Sequence, residues 1–277
     1  MRHLLFLLMT ASLICPNAIY AFKFQSAAGA RSTALGSQAA AISDVFSANN
    51  NQAGMGFIKD MAFAISAGNS FTLKELNTIH AVGVFPTKTG VFGFTVNYSG
   101  LQAYNEKKIG VSFAKSFGEK FSAGLQFDYM NLFIEEIGNK HLFTFEAGLQ
   151  YYLLPQLLLG AHVNNPIRLT IDEETDEKLP TIMRFGLNYM PSKKIALLFE
   201  VEKDLDFKPM FKFGIDYRVV DKLSLRGGFN AAPFTGSFGI AAHLKSIEIA
   251  VAANIHPVLG VSPNLSLVYV LKKKSKE

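Results

Sequence analysis

Only one of the 277 residues is a cysteine, Cys15, and none is a tryptophan. Cys15 falls inside an N-terminal series of basic Met1-Arg2-His3, an apolar run over 4–14, and Ala18-Ile19-Tyr20-Ala21. That order reads as a secretory signal peptide over 1–21, cleaved after Ala21. A lipoprotein signal wants a small residue before its cysteine, and Ile14 stands there instead. The mature chain therefore has no thiol, which excludes disulfides and thiolate-bound metal as sources of stability. Beyond Ala21 no apolar run approaches the roughly 20 residues of a membrane helix, and the run over 4–14 is also too short. If the mature chain spans a bilayer it does so as a closed barrel, since only helices and closed sheets satisfy every backbone polar group in lipid.

Catalytic motifs are missing too. No serine elbow, phosphate loop or dinucleotide fingerprint occurs. His80, His141, His162, His243 and His256 show no ligand spacing, so neither a metal nor another cofactor is expected, and the chain does not read as an enzyme. The net charge of +5 does not point to nucleic acid, because the lysines stand singly in turns. Their one dense cluster is the tail at 272–277, which reads as a solvated terminus or a seat for anionic lipid headgroups.

What the chain does have is alternation. Mean hydropathy is +0.20, apolar for a soluble protein and low for a helix bundle. Met183, Phe185, Leu187 and Tyr189 share one face, with Arg184, Gly186 and Asn188 on the other. Ile195, Leu197, Phe199 and Val201 oppose Glu200, Glu202 and Asp204; Phe211, Phe213, Ile215 and Tyr217 oppose Lys212, Gly214, Asp216 and Arg218; Leu223, Leu225 and Phe229 oppose Ser224, Arg226 and Gly228. A period of two means strands with one environment per face. The charges change sign from strand to strand, so that antiparallel neighbours set unlike charges together. This predicts a lumen charge network of Arg184, Glu200, Glu202, Lys212, Asp216, Arg218 and Arg226. A carboxylate pair at Glu200 and Glu202 for acid-base work is the alternative; cations on the flanking strands favour structural pairing. Tyr98, Tyr129, Tyr151, Tyr189 and Tyr217 fall near strand ends on the apolar face, as in an aromatic girdle.

The pattern predicts fourteen strands, at 61–68, 78–86, 90–98, 107–116, 120–130, 141–153, 157–163, 179–190, 194–202, 209–219, 222–230, 235–244, 246–254 and 264–271. Short turns alternate with longer connections at 69–77, 99–106, 131–140, 164–178, 203–208, 231–234 and 255–263. That asymmetry is expected of a transmembrane antiparallel β-barrel in the bacterial outer membrane, with tight periplasmic turns, longer external loops and both termini periplasmic. A large β-sandwich or a lipocalin-like barrel also alternates, but rarely keeps its large aromatics on one face through so many strands. The acidic residues Asp172, Glu173, Glu174, Asp176 and Glu177 in the longest loop read as a solvated face, with a cation or partner site as the alternative. Residues 22–60 lack alternation and are rich in small residues. They read as a plug segment packed inside the barrel, with a short helix expected over 37–47.

Within that segment Gly29-Ala30-Arg31-Ser32, Leu35-Gly36, Ser43-Asp44 and Asn51-Gln52-Ala53-Gly54 resemble the N-terminal signature of the PorV/PorQ family of FadL-like outer-membrane barrels. The runs 183–189, 200–204 and 225–229 are similar to the C-terminal half of such proteins. The plug residues that carry the likeness are Gly29, Ala30, Arg31, Ser32, Gly36, Asp44, Asn51 and Gly54. Gln52 stands where the family usually has proline, Ser37 where a second glycine is common, and Val45 where a second aspartate is common. The C-terminus also lacks the usual terminal aromatic, with Tyr269 the nearest. The resemblance implies a fourteen-stranded barrel with its N-terminal segment in the lumen. It implies either passage of a hydrophobic small molecule through the outer membrane or an accessory role among the proteins of type IX secretion in Bacteroidota. A purely structural envelope barrel is the third reading. The partners expected are outer-membrane lipid, a hydrophobic ligand or secretion proteins.

Overall fold

The computed structural model describes residues 27–172 and 177–272. The expected signal peptide, nearly all of the basic tail and most of the acidic loop cluster lie outside the described residues. Among these residues no helix is long and apolar enough to cross a membrane.

Fourteen strands close into one antiparallel barrel. They are β1 (Met61–Asn69), β2 (Asn77–Pro86), β3 (Val91–Gly100), β4 (Tyr104–Phe117), β5 (Phe121–Ile134), β6 (Gly138–Leu154), β7 (Leu157–Asn164), β10 (Ile182–Ser192), β11 (Ile195–Asp204), β12 (Met210–Val220), β13 (Leu223–Ala231), β14 (Phe234–His243), β15 (Ile247–His256) and β16 (Gly260–Leu271). β8 (Thr170–Asp172) and β9 (Glu177–Lys178) form a separate hairpin within the β7–β10 connection. Each barrel strand pairs with its sequence neighbour in the barrel, and β1 closes on β16 from Met61 opposite Leu271 to Gly68 opposite Asn264. Closure leaves no open edge.

The alternation sorts by environment as a lipid-embedded barrel requires. Phe127, Phe143 and Phe185 are 70%, 67% and 60% exposed on the outside, in a band with Phe94, Leu125, Phe213 and Ile240. Inward neighbours such as Thr95, Gln126, Glu146, Glu200 and Lys212 are buried. An apolar exterior this continuous has no stable contact with water and is satisfied by hydrocarbon. Tyr151, Tyr189, Tyr217 and Tyr269 face outward close to the short-turn rim, and Tyr98 and Tyr129 closer to the other.

The connections differ from expectation. The ladder runs on through Tyr104–Lys107 and Leu132–Ile134, and through Gly138–Lys140, so the connections after β3 and β5 shrink to 101–103 and 135–137. Alternation fails there because Asn105 and Glu106 are both buried, as are Met130, Asn131 and Leu132. The connection over 70–76 keeps nearly its expected length, and the longest, over 165–181, turns back over the mouth of the barrel. Ile171 and Leu179 pack there on Met130, Leu132 and Leu142. Asn165 holds the turn: its amide donates to the Leu179 carbonyl at 2.7 Å and its carbonyl oxygen accepts from the Thr144 hydroxyl at 2.9 Å.

Residues 27–57 lie inside the barrel and are almost entirely buried. The helix expected over 37–47 does not form. Short helices lie instead at Ala30–Ala34 and Ser47–Asn50, followed by a 3₁₀ stretch at Gln52–Phe57. Across 37–46 the barrel supplies the partners that a helix would have supplied. Glu200 accepts from the amides of Ala39 and Ala40, both at 2.7 Å, and Gln150 donates to the carbonyls of Ala40 and Ile42. Ala28, Val45, Phe46 and Met55 meet Ala62, Val82, Val84 and Ala114 in an apolar core between the segment and the inner wall.

Candidate functional site

The wall facing the segment is stripped to glycine where the two come closest. Gly124 stands opposite Gly148 on β5 and β6, Gly160 opposite Gly186 on β7 and β10, and Gly214 opposite Gly228 on β12 and β13. A Cβ on Gly160 would sit 2.0 Å from the Ala40 carbonyl oxygen, and one on Gly228 would sit 2.5 Å from the Leu35 carbonyl carbon. A side chain at any of these sites takes space already held by the segment.

A belt of charge runs round the same lumen. On β10–β12, Arg184 Nε donates to Glu202 at 2.6 Å, and Lys212 Nζ lies 2.8 Å from Glu202 and 3.1 Å from Glu200. Lys212 also donates to the Ser37 carbonyl at 2.9 Å. On β12, β13 and β15, Asp216 accepts from Arg226 at 3.3 Å and from Arg31 of the segment at 3.1 Å, while Arg226 reaches Glu248 at 3.1 Å. Arg31 lies 3.4 Å from Asp44 as well. Of the seven charged residues expected to form one network, Arg184, Glu200, Glu202 and Lys212 form one group and Asp216 and Arg226 another. Arg218 does not join either: it pairs with Ser224 in regular register but is exposed at the short-turn rim, two residues from the end of its strand, and makes no ion pair among the described residues.

A third group was not anticipated. Lys108 on β4 lies 2.8 Å from Glu146 on β6 and 3.9 Å from Asp128 on β5, all fully buried. Glu146 also accepts from Asn164 at 2.6 Å and from Gln52 at 2.8 Å, and His162 Nε2 lies 3.1 Å away. Asp128 and Glu146 do stand on the polar face of their strands. Their grouping needs the register of four strands, which no single stretch of sequence specifies.

The plug signature meets itself and the wall. Asn50, beside Asn51, clamps both the amide and the carbonyl of Ala28, at 2.8 and 3.0 Å. Asn51 donates to Ala40 at 2.6 Å and to Ala161 of β7 at 3.2 Å, and its oxygen accepts from the Ala53 amide. Gly29 and Gly36 adopt φ of 93° and 75°, the left-handed region that glycine enters freely. Ala30 and Ser32 are buried, and a Cβ on Gly54 would strike Ser47 Oγ at 2.5 Å. Gln52 shows what replaces proline here, since its amide is the group that reaches Glu146. His80 is buried against Asn97 at 2.8 Å, and no group among the described residues is arranged to hold a metal ion.

On the lipid side a depression of about 770 Å³ opens across β4–β7 and β10. Ala123, Ala147 and Ala161 form its floor, and Phe113, Leu149 and Phe185 its walls. Gly124, Gly148 and His162, whose neighbours are inside the lumen, also reach it. The depression therefore overlies part of the wall that holds the segment, where the strand pairing is unbroken.

Neither a family model nor a curated protein matches the sequence. Solved structures do match in shape. The CymD monoaromatic hydrocarbon channel superposes with a TM-score of 0.65 at 12% identity, over 91% of this chain and 100% of that one. The Pseudomonas putida toluene transporter TodX gives 0.65 at 12% identity, over 88% and 98%. A Pseudomonas aeruginosa FadL homologue gives 0.58 at 13% identity, again over 88% and 98%. At such identities the likeness is one of fold, a closed antiparallel barrel.

Proposed function

We propose that this chain is an outer-membrane barrel, with its short-turn rim and both termini on the periplasmic side, that lets hydrophobic small molecules cross the membrane passively. The observation that carries the reading is the pairing of an obstructed axis with an apolar depression on the outer face of the wall. Residues 27–57 fill the lumen, so an axial, water-filled route is closed to polar solutes. The depression over Ala123, Ala147 and Ala161 offers an apolar solute a seat on the bilayer side of the wall, where it is more soluble than in water. Solved barrels of the same fold described as toluene transporters and a monoaromatic hydrocarbon channel support this reading. The lumen charges are paired and hold the segment, so they serve structure rather than catalysis.

The test is uptake by cells lacking their own hydrocarbon channels and expressing this chain. Radiolabelled toluene is expected to enter several times faster than into control cells, with glucose entry unchanged. Equal acceleration of both solutes makes the barrel a general pore, and acceleration of neither defeats the transport reading.

A second reading, an accessory of type IX secretion as in the PorV/PorQ family, is favoured by the apolar tips at the long-loop rim. Ile137, Val258 and Phe234 are 72%, 85% and 62% exposed there. Recovery of secretion proteins with the barrel from native outer membranes, together with no toluene uptake, supports that role.

A further inference from the structure

At the short-turn rim, where Arg31 of the helix Ala30–Ala34 reaches, lies a second cavity of about 510 Å³ whose lining mixes apolar and charged residues. Part of its lining is apolar, made by Pro155, Met190, Pro191 and Ile195. The lining also carries Arg31, Lys193, Lys194, Arg218 and Arg226, against only two carboxylates, Asp216 and Glu248. Those two are already committed. Asp216 is shared by Arg31 at 3.1 Å and Arg226 at 3.3 Å, and Glu248 takes Arg226 at 3.1 Å and His243 at 3.3 Å. Lys193, Lys194 and Arg218 have no carboxylate partner among the described residues, so three positive charges remain unbalanced around one concavity. Arg226 itself has a side chain only 4% exposed, and its Nη1 meets no hydrogen-bond acceptor. Concave walls of low dielectric focus such a field and concentrate anions, and a guanidinium fork matches the oxygens of carboxylate and phosphate.

We propose that this rim cavity binds the anionic head, a carboxylate or phosphate, of a small amphiphile whose apolar part lies along Pro155, Met190 and Pro191. Lys193 and Lys194 in the exposed turn draw the head in, and Arg226 and Arg218 hold it. The occupant reaches the site either as a free acid or as the headgroup of an anionic lipid of the surrounding bilayer. The site does not depend on the transport reading, because binding is measured on isolated protein whether or not anything passes through it.

The full chain, purified in a neutral detergent and stripped of lipid, is titrated with octanoate, octyl phosphate, octanol and inorganic phosphate by equilibrium dialysis. Octanoate and octyl phosphate are expected to bind at least about tenfold more tightly than octanol, and more tightly than inorganic phosphate. Their affinity is expected to fall several-fold as salt is raised from roughly 50 to 500 mM. Arg226→Gln is expected to weaken octanoate about tenfold. Arg226 also bridges two carboxylates, so the double variant Lys193→Gln/Lys194→Gln, in an exposed turn, provides the independent measurement, with an expected loss of about threefold. Native mass spectrometry of protein taken from its own membranes separates the sources. A retained anionic lipid that the lysine variant loses identifies the headgroup, and a site that arrives empty and fills with octanoate identifies the free acid. Octanol binding as tightly as octanoate, or both variants binding octanoate like the parent, overturns the proposal.

Discussion

Gly160→Ala adds a single methyl group where the structure leaves no room for one. The new Cβ would lie 2.0 Å from the Ala40 carbonyl oxygen and 2.5 Å from its carbon. Non-bonded contact of this kind requires the carbonyl to retreat by more than about 1 Å. That same oxygen accepts from Asn51 at 2.6 Å and from Gln150 at 2.9 Å, and a retreat of that size breaks or badly stretches both bonds. Each contributes about 0.5–1.5 kcal/mol, and overpacking costs a further 1–3 kcal/mol or so. The segment is then less firmly seated by at least about 2 kcal/mol, while the barrel ladder, which Gly160 serves through its backbone, stays intact. Hydrogen exchange measured by mass spectrometry reads this directly. Amides over residues 39–54 are expected to exchange roughly thirtyfold faster, since 1.4 kcal/mol is a factor of ten. Gly236→Ala on β14 is the control, because a Cβ there meets nothing within 4 Å. If exchange over 39–54 is the same in both variants, the segment is not held by close contact with the glycine wall, and the reasoning fails.

Other outcomes follow from the same geometry. Lys108→Met leaves Glu146 and Asp128 buried beside an uncharged side chain, and is expected to cost about 3–5 kcal/mol, seen as loss of the folded band at lower temperature on a heat-modifiability gel. Ser37 has φ of 59°, so Ser37→Gly should stabilise the segment by about 1 kcal/mol, slowing exchange of its amides severalfold. Phe127→Arg places a charge halfway along β5 on the lipid face and is expected to cost about 2–4 kcal/mol of folding stability in bilayers, measured by urea titration. The same substitution at Val258, on a loop tip, should be close to neutral.

The exterior of this barrel is plain in its sequence because a lipid-facing residue answers to one requirement only. Phe211, Phe213, Ile215 and Tyr217 need no knowledge of their neighbours to be placed outside. The lumen is different, since each inward group there is judged by a partner far along the chain. Glu200 was on the correct face from alternation alone, but its bonds to Ala39 and Ala40 lie 160 residues away in sequence. Lys108, Asp128, Glu146 and His162 form a group only once four strands are in register. Arg218 fits the alternation and lines the rim cavity with Asp216 and Arg226, but its strand ends two residues later and it enters no ion pair among the described residues. The expected helix over 37–47 fails for the related reason that barrel side chains take the backbone groups a helix would use. Propensity counts the chain's own hydrogen bonds and not those offered by a wall.

The inward polar groups of the strands are divided between one another and residues 27–57. Cut that stretch away and the staves still close, because β1 meets β16 without it. What remains is a bare bore whose acids and bases still pair across the strands, flooded and ion-permeable. The sieving property of the molecule thus resides in its least regular thirty or so residues, and a cell carrying the hollowed version would be expected to admit bulky polar antibiotics that the intact chain keeps out.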